Sequence, residues 1–399
     1  MTSFQGPRFT RRAALRIAAL AAAATPLLMT PASAADSIKI GLVTALSGQS
    51  ARAGEALTRG LTIAIDEINA KGGILGRPVE LVRRDDEANP AKGVLAAREL
   101  VQREKVAVLI GGLDTPVALA IVPFANSAKV PFVDPWAAGT AITHNGANPN
   151  FVFRVSAMDD SVDKAIVQYA IKTHGTKKPG LILVNNPWGE SNEKGLLAAL
   201  KEVGIAPAGV EKFEGNDVDV VPQLSRLKQA GADALFLVGN VGPSAQVVKS
   251  LDRMGWMPPI VSHWGPAGGR FTELAGPSAK NVVFVQTYSF FGKLSPVGDR
   301  VLAALKAKYP DIKGPADVTP AVGVANAYDA MHLSAAAIAK AGSTDGSAIR
   351  EGFYKIDRYE GLIKTYERPF SPQNHDALNE GDYIWTRFED NHIMPVATN

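Results

Sequence analysis

The chain has 399 residues, which is too long for one ordinary domain and predicts two. Hydrophobic residues make up 46% of it and charged residues 20%, a composition typical of globular proteins rather than of disordered or fibrous ones. Cysteine is absent, which excludes a disulfide framework, thiol catalysis, thiolate metal sites and a lipoprotein anchor on cysteine.

The first 34 residues predict an export signal that is cleaved near Ala34. Four arginines precede an Ala/Leu-rich run, and Pro-Ala-Ser-Ala at 31–34 has the small-residue pattern that signal peptidase cuts. The Arg11-Arg12 pair is typical of a twin-arginine signal, with a general secretory leader as the alternative. Both alternatives predict a periplasmic protein, and the apolar run is too short to span a membrane.

Removing the leader also removes the apparent basicity of the chain. It holds four of the 42 lysines and arginines and none of the 39 acidic residues, which leaves 38 basic residues against 39 acidic ones. A surface balanced in this way has no basic face for nucleic acid or anionic lipid. We therefore expect no nucleic-acid partner and no insertion into the membrane.

Residues 38–86 contain the first complete structural motif. An apolar strand at 38–46 ends in a Ser-Gly turn, and a helix follows whose apolar side chains recur at helical spacing. The helix stops at Lys71-Gly72-Gly73, a basic last turn with a glycine cap, and a second strand covers 79–83. These elements make one βαβ unit.

Strand-like and helix-like runs alternate through the rest of the chain, which predicts an α/β fold of parallel sheets with helices on both faces. Further strands are expected at 106–110, 130–133, 181–184, 210–213, 234–238, 260–262 and 282–286. The segments 151–155 and 285–289 are candidate crossings between two lobes, and helices at 297–309 and 320–341 then return to the first lobe. A ligand cleft is expected where the strand carboxyl ends of both sheets face each other.

The first strand and helix also carry a family resemblance. LSG in the first turn, with EINAKGGILGRPVELV at the end of the helix, resembles the leucine/isoleucine/valine-binding proteins, the amino-acid branch of type I periplasmic solute-binding proteins. The resemblance implies two doubly wound, Rossmann-like lobes joined by a three-strand hinge. It places lobe 1 at 36–154 plus 287–364 and lobe 2 at 155–286 plus 365–399, with the third crossing near 364–368.

The same resemblance implies the soluble substrate-binding component of an ABC importer, with membrane permease and ATPase subunits as partners and hinge closure as the mechanism. A monomer without a cofactor is expected. Two alternatives remain open: an extracytoplasmic sensor that signals to a receptor, and a secreted enzyme on the same fold. The enzyme is disfavoured, because the six histidines lack metal-ligand spacing and the two Ser-x-x-Lys matches, at Ser161 and Ser191, are expected by chance.

The sharpest local motif is a strand end with the sequence Gly111-Gly112-Leu-Asp-Thr115-Pro116. It predicts Thr115 as a helix N-cap and Pro116 as the first helical residue. Free N–H groups at the positive end of the helix suit a carboxylate or a phosphate, although an ordinary helix cap fits the same residues. The resemblance implies that Thr115 binds the carboxylate of the ligand.

Three of the five tryptophans, Trp136, Trp188 and Trp264, come just after predicted strands. Ligands of open α/β sheets bind at such strand ends. The tryptophans therefore predict an aromatic-walled pocket for a flat or bulky apolar ligand, with simple capping of the core as the alternative. The resemblance implies that Trp188 replaces a tyrosine that covers the ligand.

Two positions depart from the amino-acid-binding pattern. The family has Thr or Ser at the position of Ala138 and an acidic residue at that of Trp264, and both hold the α-ammonium group of the ligand. Burying an ammonium without a carboxylate partner is costly. We therefore expect a carboxylate ligand that lacks the ammonium, with an aromatic acid favoured and an aliphatic amino acid next. Asp114 and Asp134 are the alternative partners for an ammonium.

Two further residues are weaker candidates for the site. Arg52, in the turn before the first helix, is a possible second carboxylate partner, with a solvated surface residue as the alternative. Asn240 follows the strand at 234–238 and is a possible hydrogen-bond partner for a ring substituent.

Overall fold

Apolar strands and amphipathic helices alternate along the computed structural model, which describes residues 1–4 and 36–396. The predicted leader and its cleavage site near Ala34 lie outside the described residues. From Ser37 onward the described chain is one unit with two lobes, each built on its own sheet. No helix within this described part has the length and apolar character needed to cross a membrane.

The first lobe is built on five parallel strands. These are β1 (Ile38–Thr44), β2 (Val79–Asp85), β3 (Val108–Gly111), β4 (Phe132–Asp134) and β5 (Val152–Arg154). The helices between them are α1 (Ala51–Ala70), α2 (Pro90–Gln102) and α3 (Thr115–Ala128). The strand order is β2-β1-β3-β4-β5, so the winding reverses beside β1 and leaves a crevice at the carboxyl ends of β1 and β3.

The second lobe has a seven-stranded sheet. Its parallel strands are β6 (Gly180–Val184), β7 (Gly209–Phe213), β8 (Leu235–Val238), β9 (Ile260–Ser262) and β10 (Val282–Gln286). A separate hairpin of β11 (Arg358–Glu360) and β12 (Thr365–Glu367) comes next in the chain, followed by β13 (Ile384–Glu389) and β14 (His392–Pro395). The last two strands add to the second sheet in antiparallel register, which gives the order β14-β13-β10-β9-β8-β6-β7.

Eight further α-helices cover the sheets in the described part of the chain. They are α4 (Asp159–His174), α5 (Pro187–Glu202), α6 (Val221–Gln229), α7 (Val241–Met254), α8 (Phe271–Ala275), α9 (Pro296–Lys308), α10 (Ala321–Ala341) and α11 (Gly346–Phe353). The last three belong to the first lobe, since Val301, Tyr328 and Ile349 are buried in its core.

Helix α10 is buried on nearly every side because its residues are mostly small and apolar. It crosses α1 so closely that a Cβ at Gly60 would lie 2.2 Å from the Val324 carbonyl oxygen. Only glycine permits this approach of two helix backbones. The contact fixes the position of α1, whose first turns carry Ser50 and Ala53 to the cleft between the lobes.

Three connections join the lobes, at 155–158, 287–289 and 379–383. The third lies later in the chain than the crossing predicted near 364–368. Residues 375–377 lie along the edge of the first sheet instead: the Arg154 N–H donates to the His375 carbonyl oxygen at 2.8 Å, and the Ala377 N–H donates to the Arg154 carbonyl oxygen at 2.9 Å.

The reason for this difference is the hairpin of β11 and β12, which is tied to α10. Asp329 of α10 accepts hydrogen bonds from the Leu362 N–H at 2.6 Å, the Ile363 N–H at 2.9 Å and the Tyr366 hydroxyl at 2.8 Å. The segment therefore stays with the first lobe, where Phe370 also joins the core, and the chain reaches the second sheet only at β13.

Candidate ligand-binding site

A small cavity lies where the strand carboxyl ends of the two sheets face each other. It measures about 30 Å³, and its walls come from both lobes. The lining residues are Ser50, Ala53, Leu113, Asp114, Thr115, Trp136, Ala137, Ala138, Trp188, Asn240, Val241, Trp264, Gly265 and Gly268. Seven of the eight residues predicted as ligand contacts are thus brought together, and Arg52 is the exception.

One wall of the cavity is the N-terminus of α3. Strand β3 ends in Gly111 and Gly112, whose φ angles of 136° and 77° lie in the region that favours glycine. A Cβ at Gly111 would also lie 1.8 Å from the Val43 carbonyl oxygen. The chain then enters α3 with Asp114 as N-cap and Thr115 as the first helical residue, so the predicted cap at Thr115 is wrong by one position.

Thr115 and Ala138 present hydrogen-bond donors to the cavity. The Thr115 hydroxyl accepts a hydrogen bond from the Gly139 N–H at 3.2 Å, which leaves its own proton free to donate. Among the hydrogen bonds of residues 36–396, the backbone N–H groups of Thr115 and Ala138 have no partner. The two N–H groups before Ala138 donate to Asp134 Oδ1 at 2.8 and 2.7 Å and hold this turn in place. The arrangement is suited to an anion such as a carboxylate.

Three tryptophans form much of the remaining wall. Trp136 of the first lobe and Trp264 of the second have ring centroids 6.1 Å apart and ring planes at 52°, so they meet across the cleft. Trp188, in the first turn of α5, is also buried. All three lie at the strand ends from which the sequence predicted them, while their contact with a ligand stays a prediction.

A buried Asp–His pair that was not predicted from the sequence holds the two tryptophans of the second lobe. Asp159 Oδ1 accepts a hydrogen bond from Trp188 Nε1 at 3.1 Å and lies 3.1 Å from His263 Nε2. His263 Nδ1 accepts a hydrogen bond from the Trp264 N–H at 2.8 Å, which holds the imidazole beside Trp264. The position of His263 directly before Trp264 was the one available signal.

A hydrogen bond joins the lobes beside the cavity. Asn240 Nδ2 donates to Asp114 Oδ1 at 2.8 Å. The other oxygen, Asp114 Oδ2, is shielded from solvent and has no hydrogen-bond partner among the described residues. Burial raises the pKa of Asp114 above its usual value, and the hydrogen bond from Asn240 opposes this only in part. Asp134, the other acid considered as an ammonium partner, does not line the cavity.

Arg52 does not line the cavity, and its position agrees with the alternative of a solvated surface residue. It is exposed in the first turn of α1 and does not line the cavity, whereas the nearby Ser50 and Ala53 do. Successive residues of a helix point about 100° apart, so the burial of Ala53 against the cleft turns Arg52 towards solvent.

The lobes also touch outside the cavity. The Thr140 N–H of the first lobe donates to Ser191 Oγ of the second at 3.2 Å. Gly242, in the first turn of α7, lies so close to Gln49 that a Cβ there would be 2.3 Å from Gln49 Oε1. These contacts and the small volume of the cavity describe a closed cleft.

Comparisons with known proteins agree with this architecture. A family model described as periplasmic binding protein matches residues 37–384. Among curated proteins, Leu/Ile/Val-binding protein homolog 3 of Brucella melitensis biotype 1 is 27% identical over 311 residues, which cover 78% of this chain and 81% of that protein. A type 1 periplasmic binding protein from Bordetella pertussis Tohama I superposes with a TM-score of 0.83 at 25% identity, covering 91% of this chain and 100% of that one.

A second solved structure is similar in fold. It is a solute-binding protein of an ABC transporter from R. palustris in complex with 4-hydroxybenzoate, with a TM-score of 0.78, 23% identity, and coverage of 91% of this chain and 96% of that one. The relatives are solute-binding proteins and not enzymes, which removes the enzyme alternative. The family model matches most of this chain, and the two-lobed fold agrees with that match. The chain therefore belongs to the periplasmic binding protein family, among the relatives of the Leu/Ile/Val-binding proteins.

Proposed function

We propose that this protein is the extracytoplasmic substrate-binding component of an ABC importer and that it captures a small carboxylate by hinge closure. An aromatic acid is the favoured ligand and an aliphatic amino acid the next. The observation that carries the proposal is the composition of the cavity, in which hydrogen-bond donors of the first lobe face tryptophans of the second. Export of a monomer by its leader and partnership with a membrane permease and ATPase subunits belong to the same proposal.

The carboxylate end of the ligand is assigned to the first lobe. Thr115 offers a hydroxyl proton and an N–H group at the positive end of α3, and Ala138 offers a second N–H group. Hydrogen bonds from such donors to an ionised carboxylate are stronger than those between neutral groups. This end of the cavity therefore suits any small acid, aromatic or aliphatic.

The apolar end of the ligand is assigned to the tryptophans. Trp264 is 2% exposed and stands where the resemblance expects the acid that pairs with an α-ammonium. An aromatic ring packs well against tryptophan faces and needs no charged partner. The R. palustris protein binds 4-hydroxybenzoate, and the Brucella relative is named for leucine, isoleucine and valine. Aromatic acids and aliphatic amino acids are therefore the two ligand classes to compare.

In the proposed mechanism the ligand binds first to the open first lobe, and closure then brings Trp188 and Trp264 over it. The contacts of Thr140 with Ser191 and of Gly242 with Gln49 form as the lobes meet. No covalent bond is made or broken in this protein. The closed form presents surfaces of both lobes to the permease, and ATP hydrolysis belongs to the partner subunits.

A thermal-shift screen with the purified protein tests the ligand assignment. Benzoate and phenylacetate form one panel, leucine and valine the second, and benzamide is the neutral control for benzoate. A ligand at 100 times its dissociation constant stabilises by about 2.7 kcal/mol, so binding raises the unfolding temperature measurably. We expect shifts with the aromatic acids and none with benzamide. Shifts confined to leucine and valine would contradict the aromatic assignment.

The transport role needs a cellular measurement. Cells that lack the gene should lose high-affinity uptake of the labelled acid identified in the screen, and should recover it when the gene is restored. Normal uptake together with a lost transcriptional or chemotactic response to the same acid would favour the sensor.

A further inference from the structure

Asp114 is the one carboxylate among the residues that line the cavity. Its Oδ1 accepts a hydrogen bond from Asn240 Nδ2 at 2.8 Å, across the two lobes. Its Oδ2 is shielded from solvent and finds no hydrogen-bond partner in the described part of the chain. Buried polar atoms in proteins are nearly always hydrogen-bonded, so an unpaired acceptor on a residue of the cavity wall points to a donor on the ligand.

We infer that the ligand carries, besides its carboxylate, a hydroxyl group that donates a hydrogen bond to Asp114 Oδ2. The inference rests on the proposed function and narrows the ligand to hydroxylated aromatic acids. The carboxylate of such a ligand binds the donors of Thr115 and Ala138, because facing Asp114 would bring two like charges together.

A hydroxyl fits this wall better than an ammonium does. An ammonium brings three N–H donors, which need three acceptors, whereas a hydroxyl brings one. Among the side chains that line the cavity in the described chain, Asp114 Oδ2 is the single buried acceptor without a partner.

The environment of Asp114 is consistent with this role. Burial raises the pKa of the Asp114 carboxyl, and a hydrogen bond donated to its ionised form would lower that pKa again. The side chain makes no hydrogen bond to the N-terminal N–H groups of α3, although Asp114 is the N-cap of that helix. The carboxylate is therefore free to face a ligand, and its replacement by asparagine removes no helix cap.

Isothermal titration calorimetry with benzoate and the three monohydroxybenzoate isomers tests the inference. In the wild-type protein we expect at least one isomer to bind roughly tenfold or more tightly than benzoate, as a hydrogen bond to a charged group predicts. In Asp114→Asn the same isomer should bind within about threefold of benzoate. Within each protein, the dissociation constants of benzoate and of the isomer are compared as a ratio. A loss of affinity that affects both ligands equally therefore cancels.

Asp299→Asn is the matched control, since Asp299 is an exposed acid in the first turn of α9 and does not line the cavity. The Asp299→Asn variant should keep the wild-type ratio of the dissociation constants of benzoate and the preferred isomer. Equal binding of benzoate and all three isomers by the wild type, or a preference that survives in Asp114→Asn, overturns the inference and leaves the proposed function standing. Leucine binding that is lost in Asp114→Asn overturns it in favour of an ammonium. If no aromatic acid binds the wild type at all, the aromatic assignment itself fails.

Discussion

Thr115 combines a side-chain hydroxyl, an unpartnered backbone N–H group within the described chain, and the positive end of a helix. Thr115→Ala removes the hydroxyl and keeps the other two. We expect it to weaken benzoate binding by about 1–3 kcal/mol, measured by calorimetry, because a hydrogen bond to a charged group is lost. Thr115→Ser should retain most of the affinity. An unchanged affinity in Thr115→Ala would mean that the carboxylate binds elsewhere.

The sequence predicted the residues of the cavity that follow strands, because the carboxyl ends of parallel strands meet at one edge. Thr115 and the three tryptophans were found in this way. The N-cap was misplaced because Asp114 and Thr115 are both residue types that cap helices well. The Asp159–His263 pair could not be predicted, since two segments far apart in the chain meet only in the folded lobe.

At the scale of secondary-structure elements, helices α1, α9 and α10 are joined through one carboxylate. Glu67 of α1 accepts hydrogen bonds from the Tyr328 hydroxyl at 2.7 Å and Arg300 Nε at 3.1 Å, and it lies 3.5 Å from His332 Nε2. Burial raises the pKa of Glu67, but the interactions with His332, Tyr328 and Arg300 together outweigh it and lower the pKa to about 2.

Because the pKa of Glu67 is lower in the folded protein than in the unfolded chain, its ionised carboxylate stabilises the folded state at pH values above about 4.5. This stabilisation is lost as the pH falls from about 4.5 towards 2. Glu67→Gln should therefore lower the free energy of unfolding by about 2–3 kcal/mol at pH 7. The difference from wild type should be much smaller at pH 3. Urea titrations of both proteins at the two pH values measure it, and a difference independent of pH would contradict the role of the charge.

In the closed cleft, the first turn of α7 lies close to Gln49, in the turn that follows β1. A Cβ at Gly242 would lie 2.3 Å from Gln49 Oε1, the end of an exposed and flexible side chain, so Gly242→Ala should hold the lobes slightly apart and lower ligand affinity a few-fold, by about 0.5–1 kcal/mol. Small-angle X-ray scattering with saturating benzoate should give a larger radius of gyration than wild type. Gly215→Ala is the control, because a Cβ at Gly215 meets nothing within 4 Å. Equal affinity in both variants would show that the Gln49 side chain moves aside without a measurable loss of binding free energy.

Strands β1–β4 and β6–β10 begin and end within two residues of their predicted positions, since each is an apolar run bounded by turn residues. The β11–β12 hairpin and the late third crossing were not predicted. Their location depends on Asp329, a buried side chain of α10 that receives hydrogen bonds from the hairpin. Pairing of this kind leaves no periodic pattern in the sequence.

For the molecule as a whole, one buried ion pair ties together the segments around the hinge. Arg154 is fully buried at the end of β5, and its Nε lies 2.6 Å from Asp376 Oδ1. It also donates to Thr143 Oγ1 at 2.6 Å and to the Gly139 carbonyl oxygen at 2.9 Å. Burial raises the pKa of Asp376, but the charge of Arg154 and the hydrogen bonds from His144, Arg154 and Thr143 together outweigh it and hold the pKa well below its usual range.

Asp376→Leu should cost about 3–5 kcal/mol of unfolding free energy, because it leaves the buried Arg154 guanidinium without the carboxylate that is hydrogen-bonded to it. The double variant Arg154→Met with Asp376→Leu should be more stable than the sum of the two single effects predicts. Urea denaturation of the four proteins completes the cycle. Strict additivity would show that the two side chains do not stabilise each other.

The meeting of Trp136 and Trp264 across the cleft has an optical consequence. Three of the five tryptophans of the chain line the cavity, whereas Trp256 and Trp385 pack against the core of the second lobe. Opening separates a pair of indoles that stand 6.1 Å apart and exposes both to water, while the other two keep their surroundings. The intrinsic fluorescence of the protein should therefore report on the ligand cleft, and closure on an aromatic ring should change its emission without any added dye.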